Sequence, residues 1–231
     1  MEHAFFKPWV GEDYQKGIRG KKILVLGASF YCNQKDCKFF AECTSPDKKD
    51  SSKFDETCPY YAKIDGHPKL SEEPINAIED CIRVYKIFAK FMYQFIEDKE
   101  NYEGYDAYVA WDRMAFTDYV QFFLPTKDTY PWYLSSRDFD AFLEVIKQLK
   151  PDIIIAWGLP VTQEIRDNAE HKDYFVDLDQ LPENDYYLCH MRIPEVEHDI
   201  AYINCYHPSA PGYWGSHKDI LAKYIQLAFN S

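Results

Sequence analysis

Two short segments carry residue types suited to chemistry, and each follows an apolar run. Residues 27–32 read Gly-Ala-Ser-Phe-Tyr-Cys, and residues 207–214 read His-Pro-Ser-Ala-Pro-Gly-Tyr-Trp. Gly27 permits a tight turn or the close approach of a ligand to the backbone. Ser29 and Tyr31 bring hydroxyls and backbone N–H groups. His207, held at a defined angle by the stiff Pro208, is suited to donating to a developing oxyanion or to proton transfer. Ser209 is suited to holding a phosphate. Taken singly, such a His is more often a half-buried hydrogen-bonding residue. No GxGxxG or GxxxxGK[ST] is present, which excludes the usual nucleotide-phosphate loops.

A second constellation is Cys32, Cys37, Cys43 and Cys58, spaced C-x4-C-x5-C-x14-C within one polar stretch. Four thiolates suit a structural Zn ion or an iron–sulfur cluster. The C-x2-C pairs that make a zinc assignment specific are missing. The plainer reading is four reduced thiols, some buried as small hydrophobes. Cys81, Cys189 and Cys205 read as packing, and His190 and His198 are isolated in the sequence.

The elements that must position these groups follow from periodicity. Lys22–Gly27, Asp152–Gly158 and Ala201–Tyr206 are apolar on both faces and predict buried, parallel strands. Residues 32–70 are polar and aperiodic, and predict a long insertion loop. Ser71 opens a helix whose stripe runs through Ile75, Ile78, Ile82, Tyr85, Ala89, Met92 and Ile96. Ser136 or Asp138 caps a second helix, with Phe139, Phe142, Leu143, Ile146 and Leu149 on one face, ended by Pro151. A last helix spans about Ser216 to Phe229, with Ile220, Leu221, Tyr224, Ile225 and Ala228 inward. Strands alternating with such helices predict a three-layer α/β/α fold around a central, mainly parallel sheet. Ligands then belong in the crevice outside the carboxyl ends of the strands.

The 231 residues suit one large domain, and their 46% apolar content suffices for a core without staples. A net charge of −12 argues against broad phosphate-driven binding of nucleic acid. The stretch Lys16–Lys22, with Lys16, Arg19, Lys21 and Lys22, is a candidate local basic patch, its plainer reading being a solvated loop before a strand. Aromatics at 17%, mostly Tyr, suit stacking on planar ligands or a Tyr-rich core. The start has no secretory signal, and no apolar run reaches membrane-spanning length. A cytoplasmic protein with reduced cysteines is expected.

Together, a strand ending in G-x-x-x-Y near the start and one ending in H-P-S near the end resemble the uracil-DNA glycosylase superfamily. Residues 116–121, Phe-Thr-Asp-Tyr-Val-Gln, fall where that family presents its base-reading residue, and DIIIAWG resembles another of its strands. The resemblance covers about residues 22–226, motif by motif. It implies a single glycosylase-like domain that flips a uracil or other modified base out of DNA and hydrolyses its N-glycosidic bond. His207 would stabilise charge on the base carbonyl, Ser29 would stand at the water and Asp118 would read the base edge. Gly27, Ala28, Tyr31 and Tyr119 would line the pocket, with Tyr31 closing its floor. Ser209 would grip a flanking phosphate, and Tyr213 or Trp214 would wedge into the minor groove. The cofactor expected is none, or the metal at the four cysteines, although iron–sulfur relatives place a close Cys pair upstream of the first motif. The partner expected is DNA or a nucleobase-containing ligand; no membrane or protein partner is inferred.

The chain departs from the family pattern in one respect that bears on catalysis. The family commonly carries Asp, Asn or Glu in the first motif, whereas residues 27–32 hold no carboxylate or carboxamide. Asp118 stands where Asn is common, and an ionised Asp donates no hydrogen bond. Either Asp112 or Asp118 holds the water, or the protein binds a base, nucleotide or nucleic acid without hydrolysing it. A third reading, an unrelated α/β hydrolase using Cys32 or a Ser, lacks the G-x-S-x-G elbow.

Overall fold

A computed structural model of the chain describes residues 1–45, 83–98, 107–125, 136–170, 173–177, 187–210 and 217–231. In chain order the elements are β1 (Trp9–Val10), β2 (Ile23–Gly27), α1 (Phe40–Cys43), α2 (Arg83–Tyr93), α3 (Ala107–Asp112) and β3 (Met114–Asp118). They continue as α4 (Ser136–Leu149), β4 (Ile153–Trp157), α5 (Leu159–Glu170), β5 (Tyr187–Met191), β6 (Ile200–Cys205) and α6 (Lys218–Asn230).

The strands form one sheet in the order β1-β3-β2-β4-β6-β5. The inner four are parallel, with Val25 opposite both Phe116 and Ile155. The outer two, β1 and β5, pair antiparallel. Every residue of the four parallel strands is buried because helices cover both faces. Val25, Phe116, Ile155 and Ile203 pack against Phe88 and Met92 of α2, Trp111 of α3 and Ile225 of α6. Their neighbours Leu24, Leu26, Ile154 and Ala156 pack against Phe142 and Ile146 of α4 and Ile165 of α5. Strand side chains alternate between faces, so these runs supply two cores at once. Burial of each large side chain stabilises by roughly 1.5–3 kcal/mol.

The three expected strands are present, and the layered α/β architecture is as the periodicity implies. Local corrections concern the helices. Asp138 does not cap α4: it is the third residue of the helix and buried, and its Oδ1 accepts the Gln121 N–H at 2.9 Å. Lys150 ends α4 in a left-handed conformation (φ 47°) ahead of Pro151. In α6, Ile220 is 36% exposed while Leu221, Ile225 and Ala228 are buried, so the stripe excludes Ile220. The expected start of the long second-quarter helix, with Ile75, Ile78, Cys81 and Ile82, lies outside the described residues, as does most of the expected loop at 32–70. Among the described residues, no helix is long and apolar enough to cross a membrane.

The basic stretch is largely engaged in structure. Lys16 pairs with Asp98 at 2.9 Å, and Arg19 lies over the Phe229 ring at 5.1 Å and donates to Gln226 at 2.9 Å. The first residues strap across α4: Glu144 accepts the N–H groups of Glu2, His3 and Ala4 at 2.9–3.1 Å.

Candidate active site

Because β3, β2, β4 and β6 are parallel, their carboxyl ends share one edge of the sheet. Asp118 is level with Gly27, and Trp157 with Cys205. His207 follows two residues beyond Cys205. Strands lie about 4.8 Å apart, so Gly27 and Cys205 stand about 10 Å apart across the edge, and Asp118 and Cys205 about 14 Å. The two segments singled out by residue type therefore follow strands that end at the same edge of the sheet.

The backbone of residues 27–32 runs beside residues 118–124. Gly27 O accepts from Tyr119 N at 3.0 Å, Ala28 O from Val120 N at 3.0 Å and Phe30 O from Leu124 N at 2.9 Å. Gly27 is required there by proximity rather than by torsion. A Cβ on it would collide with Asp118 Oδ1 and approach the Phe116 ring. Gly158, by contrast, has φ 110° and lets the chain leave β4 for α5. The two-residue period directs Gly27, Asp118 and Trp157 to the same side as Val25 and Phe116.

On that side aromatic rings pack in the core beneath the edge. Tyr85 of α2 lies 5.6 Å from Phe116 and 5.8 Å from Trp157, and Trp157 meets His207 edge-on at 5.8 Å. The buried Trp157 Nε1 has no hydrogen-bond partner among the described residues. Tyr85 and Trp157 read in the sequence only as core, and their placement depends on the pairing of distant strands.

His207 is fixed by the Pro-turn that follows it. The Ser209 N–H donates to His207 Nδ1 at 3.2 Å, and Ser209 Oγ lies 2.6 Å from the same nitrogen. The amide can only donate, so Nδ1 accepts from both groups and the neutral ring carries its proton on Nε2. Burial pushes the His207 pKa below the ordinary histidine value, which favours that neutral form. Ser209 has a single hydroxyl proton and directs it at His207. In this arrangement it holds the imidazole rather than donating to a phosphate.

The remaining sequence expectations divide. Ser29 is buried, and its Oγ has no partner among the described residues. Tyr119 is buried too, with its ring 6.0 Å from Phe142 on the α4 side, so it packs in the core rather than lining the crevice. Tyr31 is 40% exposed. Asp112 ends α3 ahead of β3. It lies a whole strand away from Asp118, about 20 Å at 3.3 Å per residue, and cannot hold water at this edge. Tyr213 and Trp214 lie outside the described residues.

Cys32 and Cys43 are buried in a small cluster with Phe6 and Phe123, and Cys37 is partly exposed. Cys58 lies outside the described residues. Among the described residues no three metal-type donors converge, so the thiols present do not by themselves fit a metal.

Two buried acids were not singled out in the sequence as functional candidates. Glu164 on α5 and Asp138 on α4 are both buried; the Gln121 N–H and the neighbouring Arg137 charge act on Asp138 against its burial. Burial and the neighbouring Asp138 push Glu164 up to about 8, and burial pushes Asp138 up to about 7. Both lie near the carboxyl edge, since α5 begins directly after β4 and Asp138 is bonded to Gln121, three residues beyond β3. No model of a known protein family matches the chain, and no curated protein matches it.

Proposed function

We propose that this chain is a uracil-DNA glycosylase-like protein that takes a flipped uracil or other modified base into the crevice between Gly27–Tyr31 and His207–Ser209. The observation that carries the reading is the state of His207. Its Nδ1 accepts from Ser209, its Nε2 bears the proton, and burial favours the uncharged ring. A neutral imidazole N–H is suited to a base carbonyl that gains negative charge as its glycosidic bond breaks.

In the reaction proposed, the bond between the sugar anomeric carbon and the base nitrogen breaks, and the base leaves with the electron pair. Charge gathers on its carbonyl oxygen, where His207 Nε2 donates. Water adds to the anomeric carbon and gives up a proton, which Asp118, the carboxylate level with Gly27, would accept.

One observation favours a second reading, binding without hydrolysis. The buried Ser29 hydroxyl is the one polar side-chain group between Gly27 and Phe30, and a hydroxyl is a poor base at neutral pH.

Incubation with uracil- and hypoxanthine-containing oligonucleotides, single- and double-stranded, separates the two. Cleavage that falls about 10²–10³-fold in His207→Ala supports the glycosylase. Tight base-dependent binding with no product at enzyme excess supports the binder. Neither binding nor cleavage, or cleavage untouched by His207→Ala, overturns the assignment of this crevice.

A further inference from the structure

The opposite edge of the sheet, at the amino ends of the parallel strands, holds a cavity of about 400 Å³. Lys21 before β2, Asp152 before β4, His190 on β5, and His198 and Asp199 before β6 line it, with Val176 as an apolar wall. We propose that this cavity binds a small organic cation with several N–H donors, of the alkyl-guanidinium or alkyl-diamine class, held by Asp152, His190 and His198. The cavity lies at the other end of the parallel strands from His207, so the site stands independently of the function proposed above.

Both imidazoles direct a proton at the protein. An ionised carboxylate and a carbonyl only accept. His190 Nδ1 therefore donates to Asp177 Oδ2 at 2.9 Å, and His198 Nε2 donates to Pro151 O at 3.0 Å. In the uncharged rings this leaves His190 Nε2 and His198 Nδ1 as acceptors, held in that tautomer by the groups behind them. Neither nitrogen has a partner among the described residues. The two side chains keep 30% and 36% of their surface exposed, so a ligand can reach them.

Asp152 adds a charged acceptor. Its Oδ2 takes the Lys22 N–H at 2.7 Å, while its Oδ1 stands 3.7 Å from His198 Nε2, beyond hydrogen-bonding distance. Asp199 is matched by Arg192 through two parallel bonds at 2.8 Å. Asp152 and Asp177 then stand against Lys21 alone, and the balance at the cavity is negative. The net charge of −12 on the chain favours the approach of a cation further.

The acceptors are spread along the cavity. No three metal-type donors among the described residues are placed to share one ion. A guanidinium or a diamine instead carries N–H donors set apart on a plane or an alkyl chain, and meets separate acceptors at once. Val176, 48% exposed, offers apolar surface to the alkyl part. The volume lies within the roughly 300–1,000 Å³ usual for small-ligand sites.

The test titrates agmatine, with a guanidinium at one end and an ammonium at the other, into the full chain at pH 8.0, where imidazoles are ordinarily uncharged. Ring nitrogen-15 signals are followed by NMR and heat by calorimetry, with sodium chloride at matched ionic strength as the control. Saturable binding in the millimolar range is expected, with shifts at His190 Nε2 and His198 Nδ1 and none at His207. Asp152→Asn should weaken binding about tenfold. Lys21→Ala removes the opposing charge and should tighten binding about threefold, a gain that a damaged fold does not produce. His207→Asn should leave binding unchanged, whatever becomes of the glycosylase reading. No saturable change at about 20 mM agmatine, the same change with sodium chloride, unmoved His190 and His198 signals, or weaker binding in Lys21→Ala would overturn the proposal.

Discussion

Gly27 and Asp118 face each other across neighbouring parallel strands, and the Asp118 carboxylate occupies the space that a Cβ on Gly27 would fill. The glycine therefore sets where the acid stands. Gly27→Ala should push Asp118 and the Phe116 ring aside and cost about 1–3 kcal/mol, as overpacking does. Asp118→Ala removes the nearer obstacle, so the double variant should be more stable than the sum of the single effects implies. Urea unfolding of the four proteins measures this coupling, and strictly additive costs would refute the contact.

Glu164 and Asp138 make stability depend on pH. Burial raises both carboxyl groups above their ordinary values, Glu164 to about 8 and Asp138 to about 7. The folded state therefore holds these protons more tightly than the unfolded chain. Their favourable contribution is full below the ordinary carboxyl range and is lost as pH rises through about 7–8. Glu164→Gln removes the ionisable group. It should match the parent protein near pH 4 and exceed it by on the order of 2–4 kcal/mol at pH 8.5, at about 1.4 kcal/mol per pKa unit. Denaturation series between those pH values check the sign, and a variant less stable at high pH would contradict it.

The layered fold was legible because β2, β4 and β6 are each pressed between two helical layers, which demands apolar residues on both faces. Helix α5 was not. Its core stripe of Val161, Ile165 and Ala169 is interrupted by the buried polar Thr162 and Glu164. Thr162 is accommodated because its hydroxyl donates to Asn204 Oδ1 at 2.7 Å and accepts from Tyr202 at 3.1 Å. These partners are forty residues away and cannot be read locally. The same holds at the crevice. Asp112 and Asp118 look equivalent in the sequence, yet a strand between them puts them at opposite edges. His207 could be singled out by its Pro-turn, but its tautomer depends on where Ser209 points.

That tautomer is itself measurable. In the intact protein at pH 7.5, His207 Nδ1 should give the nitrogen-15 NMR signature of an acceptor and Nε2 that of a protonated nitrogen. Ser209→Ala keeps the amide donor and loses the hydroxyl, so the ring should retain its tautomer but move more freely. Any cleavage activity should then fall about tenfold, less than the 10²–10³-fold expected for loss of His207 itself. Burial lowers the His207 pKa, so the uncharged ring favours folding at neutral pH and this contribution fades as pH falls through the histidine range. A protonated Nδ1 in the intact protein at pH 7.5 would remove the basis of the proposed donor.

Gln121 ties the chain start to the crevice. Its buried side chain accepts the N–H groups of Phe5 and Phe6 at 2.7 and 2.9 Å, and donates to Asp118 O at 3.0 Å. Phe6 in turn packs edge-on against Phe30 at 4.7 Å and Phe123 at 5.2 Å, on either side of the paired backbones that form the first wall. Gln121→Leu keeps the bulk but leaves two amides and a carbonyl without this partner. Each buried group left unsatisfied costs about 1–3 kcal/mol, and relaxation of the chain start should recover part of it, for a net loss of about 2–4 kcal/mol. Hydrogen exchange should quicken at Phe5 and Phe6 and, through the freed wall, at Leu124, whose N–H bonds to Phe30 O. Exchange that quickens at Phe5 and Phe6 while Leu124 stays protected would show that the chain start can detach without disturbing the crevice.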